Sequence, residues 1–196
     1  MRFAQTAWVG SAIRLRAIEP KDAQYYAKFN EDSIASRNVF RIVPPMSDSD
    51  YENEVCNLSR RVRDEEVFAL AIERLSTPGM VGAISVKSAD ARSGSFEHGL
   101  AIEPSYQRSG YGSQASVLLL RYMFGERRYH KSSVSIYGHN EPSLAMHRKL
   151  GYSIEGRLRE HEFFGGRYCD VVLMGMLASE FFDNYSAIVL SAQNDG

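Results

Sequence analysis

The chain has 196 residues, 44% of them hydrophobic, with 23 Lys and Arg against 24 Asp and Glu for a formal net charge of −1. That length and apolar content suit a single globular domain with a sizeable core, and the balanced charge argues against a nucleic-acid or anionic-membrane partner recognised through bulk charge. Two cysteines, Cys56 and Cys169, are too few for a disulfide framework, and no apolar run approaches the roughly 20 residues of a membrane helix, so a cytoplasmic protein is expected.

Residues 1–10 read as an N-terminal extension in which Gln5 and Thr6 interrupt the apolar run, which does not suit a signal peptide. Ala12 to Ile18 alternates as a strand, and Lys21 to Asn30 places Ala23, Tyr26, Ala27 and Asn30 on one helical face. Residues 31–48 are mixed and end in Pro44-Pro45, a loop expected over the substrate side. Asp48 or Ser49 can cap a second helix running to Arg63. Strands follow at Val67–Glu73 and Val81–Lys87, around the turn Ser76-Thr77-Pro78-Gly79, and then at Ser95–Ile102. Helical spacing of Ala115, Leu118, Leu119, Tyr122 and Met123, a strand at Ser132–Tyr137 and a helix after Asn140 then alternate, which calls for parallel pairing in this half. The expectation is one α/β domain over residues 11–180 with a mixed twisted sheet and helices on both sides. Residues 181–196 are expected to form a tail, frayed from Ser186.

The segment Ile102 to Ala115 carries the most functional information. A loop with Gly110 and Gly112 lies where a strand hands over to a helix N-terminus. Unpaired N–H groups there carry partial positive charge, and glycines let a phosphate approach the backbone, so a pyrophosphate ligand is expected. Gly110-Tyr111-Gly112-Ser113-Gln114-Ala115 formally fits the dinucleotide fingerprint G-x-G-x-x-A. Yet Pro104 to Ser109 separate it from the strand, and the next strand ends in Gly138-His139 without the required carboxylate. A nicotinamide reductase is therefore a remote alternative.

One step earlier, Gln107-Arg108-Ser109-Gly110-Tyr111-Gly112 matches Q/R-x-x-G-x-G/A, and here the chain resembles the GNAT superfamily of N-acetyltransferases. Asn140-Glu141-Pro142-Ser143 through Lys149-Leu150-Gly151-Tyr152 resembles the second signature of that superfamily. Ile13 to Ala23 resembles its opening strand and helix, and Gly165-Gly166-Arg167 with Asp170 its closing hairpin. The resemblance implies a V-shaped split between two central parallel strands. It also implies acetyl-CoA as acyl donor, held at Gln107, Arg108, Ser109, Gly110, Tyr111, Gly112 and Ser113. It assigns the strand edge near Ala101 and Ile102 to the pantetheine arm and to polarising the carbonyl, with Asn140 and Ser143 on the acetyl-CoA side. Asn140 also suits an N-cap.

Glu97 and His98 are adjacent on a strand, so only one can face a given cleft. Glu97 matches the superfamily's base, the alternatives being a salt-bridged Glu97 and a hydrogen-bonded His98. His147 stands where the superfamily usually has the tyrosine that protonates the leaving thiolate. It could donate as imidazolium, or be a solvent-facing helical histidine. No H-x-x-x-H or C-x-x-C spacing exists, so no metal is expected. The expected reaction is direct attack of a primary amine on acetyl-CoA. A small amine or polyamine is favoured over a peptide N-terminus of the ribosomal-protein type, and a non-catalytic CoA-binding module is the alternative from another class. A homodimer is compatible with all of these.

Overall fold

Period-two apolar patterns place Leu70, Ile72, Ile84, Val86 and Phe96 on one side of successive strands, and burial of that side assembles the sheet. In the computed structural model, which describes residues 6–39, 42–60 and 66–193, seven strands follow the order β1-β2-β3-β4-β5-β7-β6. β1 (Ile13–Ala17), β2 (Phe68–Arg74), β3 (Met80–Asp90) and β4 (Ser95–Ile102) pair antiparallel in turn. β5 (Lys131–Tyr137) runs parallel to β4, and the hairpin β6 (Ser153–Phe164) and β7 (Arg167–Leu177) closes the sheet, with β7 antiparallel to both β5 and β6. The β4–β5 contact covers only Ser95–Glu97 against Lys131–Ser133, after which the strands part. This is the expected split.

Helices α1 (Ala23–Glu31), α2 (Ser33–Val39) and α3 (Asp48–Arg60) precede β2; α4 (Tyr111–Gly125), α5 (Glu141–Leu150) and α6 (Ala178–Gln193) follow β4, β5 and β7. α4, α5 and α6 cover the face carrying Phe96 and Ile84. α1 and α3 cover the opposite face around Ala71. Leu118, Leu119 and Leu120 of α4 are fully buried, each worth about 1.5–3 kcal/mol of transfer free energy. Among the described residues no helix is long and apolar enough to cross a membrane.

Three expectations change and one goes untested. The loop over residues 31–48 contains α2, tied to α1 by the Ser36 amide and hydroxyl donating to the carbonyls of Asp32 and Phe29. The second helix is described to Arg60, and its expected end at Arg63 lies outside the described residues. The tail is helical to Gln193 with a break at Tyr185, and Phe181, fully buried against Phe124 and Tyr185 at 5.6 and 5.0 Å, anchors the part before the break in a way that local propensity does not reveal. Residues 6–10 fold back onto β1, with Trp8 packed on Tyr122 at 4.6 Å; residues 1–5 of the extension lie outside the described residues.

Gln114, in the first turn of α4, is buried and ties this helix to the start of β1. Its Oε1 accepts from the amides of Ala12 and Ile13, both at 3.0 Å, and its Nε2 donates to Ser11 Oγ. A Cβ on Gly10 would lie 2.4 Å from that Oε1, so the chain can pass there only as glycine.

A charged network secures the other side of β1. Arg16 donates to Asp22 at 2.7 and 2.9 Å and to Glu73 at 3.0 Å, and Arg14 also binds Glu73. Burial alone would raise the Asp22 and Glu73 carboxyls, but the arginine bonds outweigh it and hold both below the ordinary range. A lowered folded pKa gives stability that is complete above the unfolded value of about 4 and is lost as pH falls through the folded value. Urea titrations should therefore show the midpoint dropping below about pH 4. Asp22→Asn should lower stability at pH 7 by about 2 kcal/mol and flatten that drop. A wild-type stability that is level from pH 5 to 2.5 would contradict the assignment.

Candidate active site

The helix-start motif forms the mouth of the split. Gly110 takes the left-handed conformation (φ +79°) immediately before Tyr111, which Gly tolerates without strain. The Gln114 amide donates to the Gly110 carbonyl, closing the first helical turn. The amides of Tyr111, Gly112 and Ser113 precede that bond, have no intrahelical acceptor and point out of the helix end. No side chain caps this end. Gly112 is buried, and a Cβ there would meet Leu100 and Met146 at 3.2 Å, so the missing side chain lets α4 sit close to β4 and α5. Gln107, Arg108 and Ser109 are exposed, and Gln107 Nε2 donates to the Ile102 carbonyl at 3.1 Å. Open amides, an absent Cβ and a left-handed glycine suit a pyrophosphate.

The backbone edge of β4 follows from its pairing with β3. The Glu103 amide donates to the Val81 carbonyl, so by antiparallel alternation Ala83 and Ala101 also exchange their bonds. Ala101 therefore turns its N–H and C=O to β3 and away from the split. His98, Leu100 and Ile102 present theirs to the gap, in phase with Ser133 Oγ donating to the Phe96 carbonyl. Of the two residues expected at this edge, Ile102 turns its backbone to the gap with its carbonyl already bonded by Gln107, and the other residue facing the gap there is Leu100 and not Ala101.

Glu97 and His98 separate to opposite faces as alternation requires. Glu97 is half-buried on the α1/α3 face with Gly99 and Ala101, at the last paired position before the split. No hydrogen bond or ion pair reaches its carboxylate from the described residues, so it is not the salt-bridged glutamate of the alternative reading. Lys87 lies across Gly99 on the same face.

His98 is 1% exposed on the α4/α5 face. Its Nδ1 is 3.1 Å from Ser132 Oγ, which is 2.8 Å from the Tyr152 hydroxyl. Burial, with the nearby charges of His147 and Lys87, pushes His98 down to about 3. His147 is 4% exposed, which excludes the solvent-facing reading. Its Nδ1 lies 2.9 Å from the Ser143 carbonyl, and burial lowers its pKa more than that bond raises it. The resting imidazole is therefore neutral, and donation from a resting imidazolium, as expected from the sequence, runs against its burial.

Asn140 caps α5 through Oδ1 accepting from the Ser143 amide at 3.2 Å, and its Nδ2 donates to the Asn38 carbonyl at 3.0 Å. Ser143 Oγ turns toward His147 Nδ1 at 3.4 Å. Ile102, Gly110 to Ser113 and Glu97 thus stand along β4 and at the start of α4 with Arg108 exposed beside them, while His147 lies against the His98 ring on the other face of β4 from Glu97. No sequence pattern assigns a role to Ser132, nor to Gln114 and Tyr152 beyond their places in the two motifs. Ser132 and Tyr152 are long-range partners of His98, which no local pattern announces.

Residues 12–153 match the profile of a family described as Acetyltransferase (GNAT) domain. The chain is 31% identical over 183 residues to the SPbeta prophage-derived uncharacterized N-acetyltransferase YokL of Bacillus subtilis (strain 168), covering 93% of this chain and 99% of that one. It is 24% identical to the spermidine N(1)-acetyltransferase of Escherichia coli (strain K12), covering 87% and 88%. The crystal structure of spermidine N-acetyltransferase from Vibrio cholerae in complex with CoA and spermine shares the fold, with a TM-score of 0.76 and 23% identity over 88% of this chain and 99% of that one.

Proposed function

The chain belongs to the GNAT acetyltransferase family, and we propose that it moves the acetyl group of acetyl-CoA onto a small primary amine, a polyamine before others, by direct attack. The Glu97 carboxylate, bonded to no described residue and lying at the closed end of the split, carries this reading, because an amine nucleophile must lose a proton before it attacks. Acetyl-CoA supplies the activated acyl group. Gln107 to Ser113 receive its pyrophosphate on open amides with Arg108 at the rim, and the β4 edge at the Leu100 backbone and the Ile102 amide receives the pantetheine arm and the carbonyl oxygen. Asn140 holds the start of α5 against the segment at Asn38, and Ser143 positions His147. The polyamine preference rests on the spermidine acetyltransferases among its relatives and neighbours. The two free thiols, Cys56 and Cys169, suit a cytoplasmic enzyme.

Steady-state thiol release across a panel of spermidine, spermine, a diamine, an amino sugar and a peptide N-terminus tests the acceptor. A polyamine should lead in kcat/KM by about tenfold, a difference of about 1.4 kcal/mol in transition-state binding. A peptide that outpaces every polyamine would replace this reading. His147→Phe keeps a ring and loses both nitrogens; it should lower turnover by about 10² and leave acetyl-CoA affinity within twofold. Wild-type turnover in this variant would remove His147 from the chemistry.

A further inference from the structure

Below the split, two histidines from different elements sit side by side without a counterion. The His98 and His147 rings are 5.9 Å apart, and Tyr152 packs against both, at 6.0 and 5.2 Å. The Nε2 of each ring is buried and has no hydrogen-bond partner among the described residues. Buried polar atoms are ordinarily paired, so two orphans beside a reaction cleft call for a role.

The tautomer of His147 follows from its partner. A carbonyl oxygen only accepts, so the 2.9 Å contact with Ser143 places the ring proton on Nδ1 and leaves Nε2 a bare lone pair. In that form His147 cannot give a proton to sulfur; it can only take one first. We propose that His147 carries one proton per turnover on Nε2, taken from the attacking nitrogen and returned to the departing sulfur, and that His98 is the positioning residue that holds His147 in the neutral Nδ1–H form this requires.

The step rests on the acetyl-transfer reading and balances. Glu97 first takes one proton from the ammonium. As the C–N bond forms, the nitrogen becomes positive and gives a second proton to Nε2. The C–S bond breaks with its electron pair on sulfur, and Nε2 returns the proton there. His147 is cationic only while a negative charge faces it, and it ends as it began.

His98 acts in two ways. Its ring, fixed by Ser132 and packed on Tyr152, helps wall His147 off from water, and a charge on either imidazole opposes a charge on the other. The other groups facing the pair do not supply a counter-charge. Lys87 of β3 is a cation that depresses His98, Tyr152 is kept neutral by burial, and Glu97 lies on the opposite face of β4. Arg148 and Lys149 of α5 are exposed.

Nitrogen-15 NMR of the full chain labelled at histidine reads the tautomer with no turnover. Wild-type His147 should show Nδ1–H with a bare Nε2 and remain neutral to below the ordinary histidine value of about 6.5. His98→Asn keeps an amide for Ser132 and removes the Nε2 side of the ring. It should raise the His147 titration toward the ordinary histidine range and move the acid limb of the kcat profile up by the same amount, with acetyl-CoA KM unchanged. His98→Gln, whose amide reaches the Nε2 position, should bring the limb back toward wild type. An Nε2–H tautomer in the wild-type spectrum overturns the proposal whatever the stability of the variants, and so does an unmoved limb in a folded His98→Asn. A chain that acetylates no amine fails the acetyl-transfer reading, whereas the spectrum decides the tautomer independently of any activity.

Discussion

Glu97→Gln lowers turnover by about 10²-fold or more and leaves acetyl-CoA affinity at its wild-type value. The substitution keeps the length and shape of the side chain and removes its basicity. An alkyl ammonium has a pKa of about 10.4, so near neutrality very little of the acceptor is ready to attack, and a positioned base supplies what solvent cannot. The structure offers Glu97 for this task because its carboxylate is half-buried and bonded to no described residue, at the point where β4 and β5 part. A carboxylate held by an arginine would be a poor base, as Glu73 is between Arg14 and Arg16. Acetyl-CoA should not sense the change, since the pyrophosphate cradle belongs to the start of α4. Steady-state thiol release measures the turnover, and calorimetric titration on the same preparation measures the affinity. Turnover within twofold of wild type would leave Glu97 a structural residue and move the base elsewhere on the α1/α3 face.

Gly110→Val weakens acetyl-CoA binding by at least about tenfold, two effects acting together. The left-handed conformation at φ +79° penalises any Cβ by about 1–2 kcal/mol, most for a β-branched side chain, so the turn opens and the amides of Tyr111, Gly112 and Ser113 lose their common direction. Beyond its chain neighbours no described residue has an atom within 4 Å of a Cβ built at Gly110, so crowding inside the fold is not the cause; the added methyls project toward solvent, where the phosphates approach. One factor of ten corresponds to about 1.4 kcal/mol, within reach of the backbone strain alone. Gly110→Ala should fall between, carrying most of the strain and little of the bulk. Calorimetric titration with acetyl-CoA, on variants whose circular dichroism matches wild type, measures the change. Unchanged affinity in a folded Gly110→Val would detach the loop from the pyrophosphate.

The two functional motifs, the order of strands and helices and the mixed sheet could be read from the sequence because each depends on local chemistry. Gly110 announces a left-handed turn before a helix because few other residues adopt it, and Asn140 before Pro142 announces a helix start because its side chain can cap the first amides. Alternation alone sends Glu97 and His98 to opposite faces. What needed the tertiary structure concerns partners distant in the chain. Burial of Phe181 turned an expected tail into a helix, and the β3 pairing took the Ala101 backbone from the split and left Leu100 and Ile102 facing it. The state of His147 is the sharpest case. A histidine four residues before Gly151 reads equally as a solvent-facing residue or a proton donor, because its charge depends on water and neighbours. Packing of α5 against β4 removes the water and sets His98 and Tyr152 beside the ring. Desolvation then decides against the charged form, and that cost exists only once the chain has folded.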